Sequence, residues 1–294
     1  MSVNPARSAD RAPVLRDPEP RRLSFRFEDD IPFDWNAGNA AVGNAANYAA
    51  IIAPAFERYF LRITREALRR IDDDGVRRNA ELFCAQEGLH SRQHRAHLEV
   101  LLRRYPGLQR AVDAVDASYE RLHATHDLAF HLAYMAILEG WFGPLALFFV
   151  ENREALFGRS DARMASFVLW HLVEEFEHRS SAHAVYHALV PSHWPLVRHI
   201  PEVVAHIAEQ RRHCLDAFLE HVPEADNPSR GSVVGLLDGV PWHSTLRFLG
   251  RLVAAILPGH DPGGLAEPAW ITQWFRDAEA GVDMTLYYPA RYQR

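Results

Sequence analysis

Glutamate and histidine recur three residues apart at Glu87/His90, Glu120/His123 and Glu175/His178. On a helix such a pair shares one face, so both side chains can reach one metal ion. With 20 Glu and 17 His in 294 residues chance alone supplies about one such pair, so the count decides little and position has to separate the three. Glu57 lies 16 residues before Asp73 and Glu87 lies 14 after it, while Glu139 and Glu175 each lie 18 residues from Phe157. At about 1.5 Å rise per residue, hairpins turning near Asp73 and Phe157 bring each pair level to within roughly one turn. The order along the chain is then Glu, Glu-x-x-His, Glu, Glu-x-x-His on successive helices, the ligand pattern of a dinuclear carboxylate centre. Glu120/His123 has no mirrored partner, sits in a polar stretch and reads as a surface pair.

The metal set predicted in this way is Glu57, Glu87, His90, Glu139, Glu175 and His178. Glu139 lies within Leu132–Val150, a run with no Lys or Arg, where an unpaired carboxylate costs several kcal/mol and calls for positive charge or a proton. His94 and His171 fall on the ligand faces and serve either as further ligands or as groups that orient the ligands. Glu174, at the edge of the arc, is a ligand or an outer acceptor. The remaining histidines, His183 and His187 among them, read as surface or packing groups. Four carboxylates and two imidazoles are a hard, oxygen-rich set that suits two ions of Fe, with Mn accommodated and Zn less well suited. Phe60, Phe83, Trp141, Phe142 and Trp170, each near a ligand, are candidates for an apolar substrate pocket.

The elements that must position these groups are helices. Apolar residues recur at three and four from Tyr48 to Ile71. A second helix runs from Val76 to Arg104, a third from about Ser118 to Leu156, and a fourth from Ser160 or Asp161 to Leu189, with further helices near 196–222, 242–257 and 266–286. No long segment alternates as a strand. The expected fold is all-α, a ferritin-like four-helix bundle with additional C-terminal helices. Residues 1–30 read as a disordered or loosely attached arm, 31–190 as the metal-binding bundle and 191–294 as a helical extension packed on it.

Composition narrows the class. The formal charge is −6, with 48% hydrophobic and 24% charged residues, which fits a folded domain and argues against nucleic-acid binding. Two cysteines cannot make a disulfide framework, so the expected location is cytoplasmic. Leu132–Val150 is long enough to span a bilayer, but Gly140, Gly143, Pro144 and its polar flanks point to a buried helix and no membrane. A homodimer through the C-terminal helices is a further expectation.

Three segments carry a resemblance: Pro54-Ala55-Phe56-Glu57-Arg58-Tyr59-Phe60, Gln86 through His94, and Trp170 through His178. Over about residues 30–220 the chain resembles the predicted metal-dependent hydrolases, a bacterial family of the ferritin-like superfamily. Phe56 stands where that family usually has Gly. The resemblance implies a dinuclear metal site in a helical bundle. Fold alone does not choose the reaction. The donor set points first to a di-iron oxidase or oxygenase, using O2, an external electron donor and a small, partly apolar substrate. Metal-dependent hydrolysis is the alternative, and a non-catalytic metal binder comes third.

Overall fold

A computed structural model describes residues 17–290. The described residues are all-α apart from one isolated bridge between Asn36 and Ser160. The helices are α1 (Ala40–Leu68), α2 (Asp74–Arg104), α3 (Gln109–Thr125), α4 (Leu128–Glu151), α5 (Arg153–Phe157), α6 (Ala162–Glu177), α7 (Ser181–Leu189), α8 (Trp194–His221), α9 (Trp242–Ala254) and α10 (Ala269–Glu279).

Helix α1 packs along α2, and α4 along α6, with α1 against α4 closing one side. Side-chain oxygens set the helix starts. Asn39 caps α1 through Val42 N, Asp73 caps α2 through Val76 N, Asp127 caps α4 through Phe130 N, and Asp161 caps α6 through the amides of Arg163 and Met164. Each satisfies a backbone donor that the helix itself leaves free. Helix α4 is long and apolar enough to cross a membrane, yet most of it is buried inside the protein. Its apolar surface covers all sides because α1, α6, α7, α8 and α9 surround it. Gly143 makes one of these approaches possible: a Cβ there would stand 3.3 Å from Arg179 Cβ and from Leu265 Cδ1.

Two expected helices are broken. The stretch read as one helix from Ser118 to Leu156 turns at His126–Asp127, so Glu120 and His123 belong to α3 and Glu139 to α4. The stretch read as running to Leu189 ends at His178, which caps α6 at φ −95° and ψ 11°. The chain then restarts as α7, which packs on α4 and α2. Glu175 and His178 keep their three-residue spacing across this end.

Residues 17–30 differ from the expectation of a loose arm, whose first part, 1–16, lies outside the described residues. From Asp17 onward the chain lies across α2 and α6. Phe25 is buried against Phe167 and Trp170, and its amide donates to Gln93 Oε1 at 3.2 Å. A Pro- and Arg-rich segment without periodicity gives no sign of this, because the partners that hold it come from distant helices.

Candidate metal centre

Glu57 on α1, Glu87 and His90 on α2, Glu139 on α4 and Glu175 at the end of α6 are all buried, together with the cap residue His178. They gather into overlapping groups. Glu87, Glu139, Glu175 and His178 offer ligand atoms within 4.8 Å of one another, and so do Glu57, Glu87 and His90. His90, His171 and Glu175 form a third group, and Glu57, His94 and His171 a fourth. Glu87 and Glu175 are carboxylates that link the Glu139–His178 group to the groups holding His90. Glu139 with His178, and Glu57 with His90, occupy the two ends.

The ring nitrogens sort themselves by role. His178 Nδ1 donates to Gln86 Oε1 at 2.9 Å, which turns Nε2 toward Glu175 Oε2 at 3.0 Å, Glu139 Oε2 at 3.2 Å and Glu87 Oε1 at 3.4 Å. His90 Nε2 donates to Glu174 Oε2 at 3.0 Å, so Nδ1 faces Glu175 Oε1 at 3.5 Å and Glu87 Oε1 at 3.6 Å. Each imidazole thus commits one nitrogen outward and turns the other to the carboxylates, as ligating histidines do. Glu174 is an outer acceptor here.

Whether this chamber fits cations can be judged from its unpaired atoms. Both carboxylate oxygens of Glu57, Glu87 and Glu139, and Nδ1 of His90, are buried without a hydrogen-bond partner. Such groups in an apolar interior cost several kcal/mol each unless charge is matched. The donor set supplies acceptors and almost no donors, so the residues fit a pair of hard cations. Without metal, protons carry that charge. Burial, with Glu175 beside it, pushes Glu139 up to about 8, and burial with Glu87 beside it pushes Glu57 well above the carboxylate range. Against their burial, the surrounding carboxylates raise His90 and His178, while His178, His171 and His90 hold Glu175 low despite its own burial.

A support lies outside the ligands. Arg21 donates to Glu177 at 2.7 and 3.1 Å and stands 3.5 Å from Glu174 Oε1. Glu177 in turn accepts from Gln86 Nε2 at 2.7 Å and from the Glu19 amide at 3.2 Å. Arg21 therefore touches the carboxylate that orients His90 and the one that orients the Gln86–His178 pair. Its guanidinium also lies 4.9 Å from the Phe275 ring on α10. Arg21→Gln is expected to weaken metal binding by about 10–100-fold, the usual cost of losing such outer support, as read by calorimetric titration with Mn2+.

His94 and His171 sit at the α1 side. His94 Nε2 lies 3.0 Å from His171 Nδ1 and 3.9 Å from Glu57 Oε1, and His171 Nε2 lies 2.8 Å from Glu175 Oε1. Burial, with His171, His90 and His97 around it, keeps His94 well below the usual imidazole range and neutral. Glu120 pairs with Arg62 at the surface and His123 stacks on His131, away from the centre.

A cavity of about 320 Å³ borders His94, His171 and Glu175. Its walls are apolar, with Ile52, Phe56, Leu138, Phe142, Phe149 and Phe167 prominent. Of the five aromatics expected to line a pocket, Phe142 does. Phe60, Phe83 and Trp170 are fully buried: Phe83 sets its edge on His178 and Trp170 on His90, while Phe60 packs on Phe56. Trp141, on α4 itself, is partly buried and packs against the core. Phe83 and Trp170 thus wall the two imidazoles on the side sealed from the cavity. Helical phase, which places Phe167 and Leu172 toward the cavity and Trp170 away from it, depends on how α6 is rotated against α1.

A family model described as predicted metal-dependent hydrolase matches residues 19–263. No curated protein and no solved structure matches the chain.

Proposed function

Since the chain belongs to the predicted metal-dependent hydrolase family, we propose that it is a dinuclear metal-dependent hydrolase acting on an apolar, uncharged substrate. The observation that carries this is the set of overlapping buried ligand groups, joined at Glu87 and at Glu175, with unpartnered oxygens among them. Glu139 and His178 would hold one ion, Glu57 and His90 the other, and His94 with His171 would complete the second. We propose Fe, with Mn as the substitute. This reading sets the chain among ferritin-like dimetal bundles.

Bound metal ions supply Lewis acidity, which polarises a scissile carbonyl and makes water a better nucleophile near neutral pH. The chain's own residues do the rest. The cavity walls hold the apolar part of the substrate and exclude bulk water. Its polar end is left to meet His94, His171 and Glu175. The short contact between His94 and His171 fixes the two rings against each other beside the cavity, with His171 partly open. Arg21, through Glu174 and Glu177, fixes the ring orientations during turnover.

Oxidation by a di-iron centre, the first reading of the sequence, has less support, because the family description favours hydrolysis. The oxygen-rich donors and the dry cavity keep it as a second reading, with O2 and an external electron donor as its partners. The test is cleavage of p-nitrophenyl esters by metal-loaded protein, with and without air. Equal anaerobic turnover supports hydrolysis. Substrate-dependent O2 uptake without ester cleavage overturns it. Ala46→Phe, which fills the cavity, is expected to lower kcat/KM for long-chain esters by about tenfold or more, with metal content unchanged.

A further inference from the structure

Outside this centre, four histidines meet where α7, the turn before α8 and the turn after α9 converge. His183 and His187 are one turn apart on α7, so they share a face, the spacing of paired imidazole ligands. Their ring centres lie 5.0 Å apart. His193 lies 6.4 Å from His183 and 6.2 Å from His187. His260 is close enough to disfavour protonation of His183, and His193 in turn disfavours that of His260. The cluster is graded in depth: His183 is buried, His193 and His260 are half-buried, and His187 is exposed.

Their nitrogens have lone pairs to offer. His193 Nε2 donates to the Ile256 carbonyl at 3.1 Å, which leaves Nδ1 as an acceptor. His260 Nε2 is buried without a hydrogen-bond partner. Asp261, the neighbouring carboxylate, is occupied in capping Gly263. Burial and the adjacent imidazoles hold His183 down at about 3 and lower His187, so both rings are neutral at physiological pH. Among these rings His260 Nε2 is the nitrogen buried without a partner, and no carboxylate is shared among the crowded neutral imidazoles.

We propose that His183, His187 and His193, with His260 beside them, form a second cation site for a borderline divalent ion such as Zn2+. At Zn–N distances of about 2.0 Å, imidazoles on one tetrahedral ion have ring centres about 5 Å apart, which the cluster approaches. The rings pack against one another rather than converge, so binding requires rotation of side chains that the partly open setting permits. All-imidazole donors favour Zn2+, Ni2+ or Cu2+ over Mg2+, Ca2+ or Mn2+. The chain would thus hold two sites of opposite preference.

The experiment uses full-length protein with its carboxylate centre first filled with Mn2+. It is titrated with ZnCl2 under calorimetry while released Mn2+ is measured. One Zn2+ per chain is expected to bind without Mn2+ release. His187→Gln/His193→Gln is expected to weaken that event at least tenfold, with Mn2+ content and melting temperature unchanged. The exposed His187 makes the single variant His187→Gln a control for folding, with a smaller loss expected. Zn2+ binding only with release of Mn2+, or binding by the double variant equal to that of the unaltered chain, would overturn the proposal.

Discussion

Glu139→Gln is expected to remove at least one of two metal ions per chain, and to make the metal-free protein more stable rather than less. The two halves have one cause. Glu139 is buried in the most apolar helix, both its oxygens lack hydrogen-bond partners, and Glu175 stands beside it. With cations present it is a ligand, and its loss takes a charge from the set that holds them. With cations absent it is a buried acid among acids, and a neutral amide of the same size relieves about 1–3 kcal/mol of that penalty. Elemental analysis of the loaded protein and calorimetric melting of the chelated protein read the two effects. Full metal occupancy in the variant would contradict Glu139 as a ligand. A purely structural role would show the opposite sign in the melting of the chelated protein.

The second large effect is on how the metal-free protein responds to pH. Burial and Glu175 raise Glu139 from 4.5 to about 8 in the folded chain. The folded chain therefore holds a proton that the unfolded chain releases, and stability falls as pH rises from about 4.5 to 8. His90 and His178 act in the same direction. Their raised values stabilise the fold below the ordinary imidazole range, and that contribution is lost as pH rises through the folded values. Glu175, held low, contributes stability that is full above the ordinary carboxylate range and is lost only on acidification, so it leaves this trend unchanged. Each proton so held changes stability by about 3 kcal/mol over two pH units. Chelated protein is expected to melt several degrees lower at pH 8.5 than at pH 6.5. Metal-loaded protein should show much less change there, because cations replace the protons. A melting temperature of the chelated protein that rises with pH over this range would refute the charge assignment.

The gathering of Glu57, Glu87, His90, Glu139, Glu175 and His178 into one buried cluster was legible because it follows from one number, the helical rise, applied on either side of Asp73 and Phe157. That inference survives the breaks at His126–Asp127 and His178–Ser180, since neither separates a ligand from its neighbour on the same turn. Arg21 was not legible. Its role depends on a contact with a glutamate 156 positions away, and no local pattern announces it. The pocket was legible only at Phe142. Sequence shows which aromatics lie near ligands but not whether they face the open or the sealed side, and Phe83 and Trp170 face the sealed side. The histidines of α7 show the same limit. Their spacing is visible, but His193 and His260 join them only through the turns that follow α7 and α9.

Arg21 ties together a segment that precedes the bundle and a helix that follows it: it grips Glu177 and Glu174 while Phe275 covers its guanidinium. The consequence concerns timing during synthesis. A nascent chain has all six candidate ligands once His178 has emerged, and Arg21 can then reach Glu174 and Glu177, but Phe275 covers its guanidinium only when α10 arrives. Until then the outer carboxylates are less shielded, and metal is expected to enter more readily than in the finished fold. Metal is therefore expected to load most readily between the emergence of α6 and the docking of α10 over Arg21.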